Sequence, residues 1–244
     1  MEAQVVLTPA ESKRLIARGV AAMPIVRQRL EQGMILLCQG STNGYVCEEL
    51  LGQPVDKRAF LAGRTLPAKD PPAFPSERKP DVVLKDGRLW TEGDKVAALA
   101  EMQTGDVVIK GANALNYENG VAGVLIGHPA GGTLAALLGP VYGRRLILII
   151  PVGLEKCVAF DIRKVAERLR ASSPAAGPTL WPLRGIIVTE VEALRTLTGV
   201  EAYQTASGGV GGAEGAVRLV LEGASQQVEA ALAIVAEVQG EPAL

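Results

Sequence analysis

Residues 34–52 read MILLCQGSTNGYVCEELLG. Five apolar residues, Met34 to Cys38, run into a small polar turn, QGSTNG, and then into a helical pattern. A short apolar run bounded by a Gly-containing turn predicts a strand covered on both faces, the habit of parallel sheets. Runs of the same kind recur as DVVI at 106–109, VLIG at 124–127, LILII at 146–150 and GIIV at 185–188. Helical patterns lie between them, at about 44–51, 93–102, 131–142 and 160–170. Ahead of them, Thr8-Pro9-Ala10-Glu11 is a capping-box start for a long helix expected to reach about Gln32, with Gly33 as its stop. The expected fold class is α/β, a mostly parallel Rossmann-like sheet with helices on both faces.

Two stretches interrupt this alternation. In RTLPAKDPPAFPSERKPDVVLKDGRLW, residues 64–90, five prolines from Pro67 to Pro80 forbid a long helix, and VVLKDGRLW predicts a hairpin turning at Asp86-Gly87. ASSPAAGPTLWP, residues 171–182, has the Ser, Pro and Gly content of a linker. After it comes strand-helix-strand-strand-helix, most of a ferredoxin-like split βαβ unit whose last strand would have to come from the short tail. The expected domains are residues 1–184 and residues 185–244, and pairing of GIIV into the large sheet would move the boundary to about residue 198.

Composition narrows the function. The 244 residues are 48% hydrophobic, enough for a full core, and the net charge of −1 with only 4% aromatic residues indicates neither a phosphate-backbone footprint nor a base-stacking platform. No nucleic acid partner is expected. The N-terminus lacks a basic segment leading into an apolar cleavable one, and no apolar run approaches the ~20 residues of a membrane helix. Three dispersed cysteines and one histidine make neither a disulfide framework nor a metal site. These features predict a cytoplasmic protein with no membrane partner, no metal and no cofactor, and leave a homo-oligomer open.

Ligands of open parallel sheets sit beyond the carboxyl ends of strands, at helix N-termini. QGSTNG occupies such a place: Gly40 and Gly44 let backbone approach a ligand, Ser41 and Thr42 offer hydroxyls, and Asn43 lies between them. The alternative is an ordinary polar turn. A second entrance lies at Gly127 to Thr133, with His128, Gly131 and Gly132, and between the two is the loop of Lys110, Gly111 and Asn113. Lys110 after its apolar strand reaches the carboxyl edge as an anion-pairing cation, or snorkels to the surface. His128 either meets a phosphate, acts as an acid or base, or braces its loop. Cys38 is a core thiol or a nucleophile. SGGVGGAEG, residues 207–215, lies between two strands and predicts a flexible hairpin loop.

QGSTNGYVCEELLG together with DVVIKGANALN resembles the superfamily of ribose-5-phosphate isomerase, glucosamine-6-phosphate deaminase and the coenzyme A transferases, in its phosphate-binding turn and its catalytic loop respectively. DVVIKGANALNYENGVAGVLIG is also similar to a segment of methylthioribose-1-phosphate isomerase, and the GSTNGYV pattern to a prokaryotic branch of such proteins. The resemblance implies a sugar-phosphate site. It also marks departures. Where ribose-5-phosphate isomerase carries aspartates for proton transfer, this chain has Lys110, Asn113 and Ala114, and neutral amides are not general bases. Glu118 is the nearby carboxylate left to substitute, and Cys38 falls close to the catalytic cysteine of the methylthioribose enzyme. The expected function is binding of a small phosphorylated metabolite (sugar phosphate, nucleotide or coenzyme A ester), in a regulatory role. The alternative is a sugar-phosphate isomerase-like enzyme whose catalytic candidates are Lys110, His128, Cys38 and Glu118.

Overall fold

The computed structural model describes residues 1–171 and 177–244. In chain order the elements begin with β1 (Glu2–Leu7), α1 (Pro9–Ala22), α2 (Pro24–Glu31), β2 (Met34–Leu37) and α3 (Ser41–Leu51). The hairpin β3 (Val82–Lys85) and β4 (Arg88–Leu89) follows, then α4 (Lys95–Glu101), β5 (Val107–Ile109), β6 (Ala114–Asn116) and β7 (Val121–Ile126). Next come α5 (Gly132–Gly143), β8 (Ile147–Pro151), a 3₁₀ turn at Leu154–Lys156, and α6 (Ile162–Ala171). The last elements are β9 (Thr179–Leu183), β10 (Ile186–Val188), α7 (Glu190–Thr198), β11 (Glu201–Ser207), β12 (Val217–Glu222) and α8 (Ser225–Val238).

The largest sheet has six strands in the order β10-β8-β5-β2-β3-β4. Its first four are parallel, and β3 and β4 continue it antiparallel. The apolar runs explain this centre: Ile35, Leu36, Leu37, Val107, Val108 and Ile109 are fully buried, each worth about 1.5–3 kcal/mol relative to exposure. The fold is thus α/β with a mostly parallel sheet. Asp86 and Gly87 take left-handed conformations (φ 49° and 72°), the pair a two-residue hairpin turn needs.

Several expectations are corrected. Pro24 ends the long helix: it has no N–H to donate and holds Met23 extended, so α1 stops at Ala22 and α2 starts afresh. VLIG is not in the large sheet. Its Val124–Ile126 end β7, in a separate antiparallel sheet ordered β6-β7-β9, because an apolar run does not specify its partner. Of the expected linker, residues 172–176 lie outside the described residues, and Thr179–Leu183 form β9.

The C-terminal segment is also built differently. Ile186–Val188 adds to the large sheet beside β8 in parallel, where Ile186 pairs with Ile149 and Val188 with Pro151. The small antiparallel sheet is ordered β1-β12-β11, so its third strand comes from residues 2–7, and the tail after α8 forms no strand. β1 alternates buried Val5 and Leu7 with exposed Glu2, Gln4 and Val6, the pattern of a strand with one covered face. Sheet membership therefore changes after residue 188 and not at residue 184, and α1, packed on both α3 and α7, links the two sheets.

Candidate functional site

The carboxyl edge of the parallel strands gathers four chain segments: residues after β2, after β5, after β8 and after β10. At the first, Asn43 in the opening turn of α3 is fully buried, and its Nδ2 donates to Cys38 O (2.7 Å) and Ile109 O (3.0 Å). One side chain thus clips β2 to β5. Its Oδ1 is buried without a partner and lies close enough to Gly111 that a Cβ there would stand 3.8 Å away. Gly40 caps α3 with no side-chain bond, and its N–H donates to Phe60 O (2.9 Å), so the segment between α3 and the Pro-rich excursion folds back over this turn. The first intrahelical bond, Gly44 N–H to Gly40 O, leaves the N–H groups of Ser41, Thr42 and Asn43 as the unsatisfied start of α3.

Beside this turn Asp81 accepts Gln39 N–H (2.8 Å) and pairs with Lys95 Nζ (2.7 Å), which also donates to Thr133 Oγ1 (3.4 Å) in the first turn of α5. The starts of α3 and α5 are therefore connected through one carboxylate. Within the second Gly-rich entrance, Gly127, His128 and Gly132 are exposed, and His128 Nδ1 accepts Ala130 N–H (3.1 Å), a bond that braces its own loop. Gly131, at φ 78°, takes the left-handed cap of α5, where a Cβ would strike Ala135.

After β5, Lys110 is half-buried and its Nζ donates to Gly111 O (2.9 Å). Burial pushes its pKa below the ordinary lysine value; Cys38 and Asp81 pull it up, and Lys156 and Lys95 push it down again. After β8, Lys156 Nζ donates to Ala112 O (3.0 Å) and stands 4.0 Å from Glu155 Oε1. Lys13 of α1 completes the row, lowered by burial and by Lys156. Four amines thus sense one another in sequence along the edge: Lys95, Lys110, Lys156 and Lys13. At the end of β10, Glu190 is fully buried, and Oε2 accepts Leu154 N–H (2.9 Å). Burial raises its pKa, Ser12 lowers it by a smaller amount, and Oε1 has no partner of hydrogen-bond geometry.

Other expected residues lie in different settings. Asn113 Oδ1 accepts Leu125 N–H (3.0 Å), holding β6 to β7. Glu118 is exposed in the β6–β7 turn. Cys38 is fully buried and its thiol is pushed up to about 12 by burial, so it packs as a core thiol in this state. Glu48 and Glu49, which follow the α3 turn, pair with Arg14 at 2.5 and 2.9 Å, while Lys57 reaches Glu48 at 2.7 Å. Sequence reasoning missed Lys13, Asp81, Lys95, Lys156 and Glu190. A signal existed for Lys156: PVGLEK follows the LILII run just as KGAN follows DVVI.

Two surface hollows lie away from this edge, one of about 390 Å³ on the β3–β4 hairpin and one of about 560 Å³ at the amino end of the large sheet. In the latter, Asp106 accepts Met34 N–H (2.9 Å) and Gln103 N–H (2.7 Å), and Arg29 donates to Gly105 O and Gln32 O. Those groups are satisfied internally, which makes that end a joint. Among the described residues no helix is long and apolar enough to cross a membrane, and no group of three His, Cys, Asp or Glu side chains is placed to hold a metal. No family model, no curated protein and no solved structure matches this chain.

Proposed function

We propose that the chain binds a small phosphorylated metabolite at the carboxyl edge of its parallel strands, in a regulatory role in the cytoplasm. The observation that carries this is the row of lysines, Lys110 above all, beside the unsatisfied N-terminus of α3. An anion there gains the N–H groups of the helix start and relieves the mutual repulsion of the amines. The chemical class follows from the donors: ammonium and backbone N–H groups suit phosphate, and a sugar phosphate, a nucleotide or a coenzyme A ester each presents one. The finer fold reading belongs with this one. A Rossmann-like main sheet is supported by the four parallel strands with their loops at one edge, and a ferredoxin-like small unit by the β11–β12 hairpin leading into α8. Kinship with the sugar-phosphate isomerase-like superfamily is part of the same proposal.

The alternative is an isomerase-like enzyme. It is favoured by one observation, an amine at the edge that has no carboxylate partner among the described residues, whereas Lys95 has Asp81. Calorimetric titration and thermal shift with inorganic phosphate, sugar phosphates, nucleotides and coenzyme A esters test both readings, with turnover assays on each compound that binds. The binding reading expects a rise in melting temperature that Lys110→Ala abolishes. No binding by any phosphorylated compound ends it.

A further inference from the structure

Lys110 differs from its neighbours in what surrounds the amine. It follows β5, a strand flanked by β2 and β8, and its backbone N–H is held by Ile149 O at 3.0 Å. The side chain therefore starts from a fixed point in the middle of the edge. Lys95 has Asp81 at 2.7 Å and Lys156 has Glu155 at 4.0 Å, but the hydrogen bond of Lys110 goes to a neutral carbonyl, Gly111 O. Asp81, the carboxylate whose field reaches Lys110, already binds Lys95 and Gln39 N–H. The start of α3 follows the adjacent strand, one strand spacing or about 4.8 Å away. Asn43 of that turn reaches Ile109 O, the residue before Lys110, so a phosphate held there would lie on the Lys110 side of the edge.

We propose that Lys110 is a nucleophile that forms an imine with the carbonyl carbon of a phosphorylated aldehyde or ketone held by the neighbouring helix N-terminus. The inference rests on the anion site proposed above and adds a covalent step to it. A lysine is a useful nucleophile when desolvated and set beside other cations, because both disfavour its protonated form. Burial, Lys156 and Lys95 all act in that direction, against the opposing pull of Cys38 and Asp81. In the step, the Nζ lone pair forms the C–N bond while the carbonyl π pair moves to oxygen. The carbonyl oxygen then leaves as water with both amine hydrogens, and the C=N bond takes up a proton to become an iminium. No oxidant or reductant is required. The iminium acidifies the carbon next to it, which is the chemistry an isomerase-like reading needs.

Reductive trapping tests this directly. The full chain is incubated with glyceraldehyde 3-phosphate and sodium cyanoborohydride, and the modified lysines are located by peptide mass mapping. Lys110 is expected to be labelled about tenfold faster than exposed lysines, the ratio that a single charge-assisted contact to the phosphate supplies. Inorganic phosphate should suppress that preference, and unphosphorylated glyceraldehyde should not show it. Lys156→Met removes a cation that lowers Lys110, so the rise of labelling with pH should move to higher pH. Lys110→Arg keeps the charge and should retain phosphate binding, measured by calorimetry, with the fast adduct gone. Labelling spread evenly over surface lysines overturns the imine. If phosphate still binds in that case the anion site stands alone, and if it does not both readings fall.

Discussion

The two ends of the six-stranded sheet use similar residues to opposite effect. At the amino end a buried carboxylate, Asp106, and a cation, Arg29, are satisfied by backbone groups of their own fold. At the carboxyl end Lys110 has one neutral carbonyl, Asn43 Oδ1 has no partner, and the start of α3 has no capping side chain. The larger of the two hollows is at the amino end, away from the proposed site. The distinction lies in the donors, the Lys110 amine and the N–H groups that open α3, which the proposed anion would fill; Asn43 Oδ1 is a buried acceptor that an anion does not satisfy.

Substitutions at the two ends should separate stability from binding. Asp106→Ala leaves two backbone N–H groups without acceptors and should lower unfolding free energy in urea by about 3 kcal/mol, with phosphate affinity unchanged in the folded protein. Lys110→Ala should do the reverse, weakening phosphate binding by about 1.5–3 kcal/mol with no loss of melting temperature in the free protein. A stability loss at Lys110 comparable to that at Asp106 would erase the contrast.

Titration sharpens it. Glu190 has a raised pKa, so the folded chain holds its proton where the unfolded chain has released it, and stability should fall as pH rises from the ordinary glutamate value through the folded one. Glu190→Gln should flatten that slope in urea melts taken between about pH 4 and about pH 8. Lys110 has the opposite sign. Its lowered pKa makes the unfolded chain the better proton binder, so stability should rise with pH from its folded pKa towards the ordinary lysine value, and Lys110→Met should remove that rise. The smallest effect is expected at Asn113→Asp: a carboxylate oxygen can still accept Leu125 N–H, and both stability and phosphate affinity should move by less than about 0.5 kcal/mol. A large loss of affinity there would return Asn113 to the ligand's side.

The inner strands MILL, VVI and ILIIP were readable because burial on both faces leaves unbroken apolar runs, and the outer parallel strand IIV is equally apolar although Ile186 is exposed. Their partners were less readable. VLIG has the same composition and pairs elsewhere, since pairing is decided by chain path. β9 went unseen because TLWPL contains a proline; it forms the outer strand of its sheet, where a missing donor is tolerated. At the site, Gly40 to Gly44 and Lys110 were visible as strand-end residues. Asp81, Lys95 and Lys13 are ordinary polar residues locally, and the relation of the first two to Lys110 and of Lys13 to Lys156 arises only when the excursion, α4 and α1 fold onto one edge.

The pairing of β1 with β12 joins Glu2 to Glu222. Synthesis proceeds at about 5–20 residues per second, so on the order of 10–40 s pass between the emergence of the first strand and that of its partner. Throughout that interval Val5 and Leu7 lack the neighbouring strand that helps to bury them. Glu2 and Gln4, which precede the apolar run Val5-Val6-Leu7, confine the sticky part of the waiting segment to three residues. Chains that end before residue 217 should therefore fold poorly, with Glu2–Leu7 still unpaired.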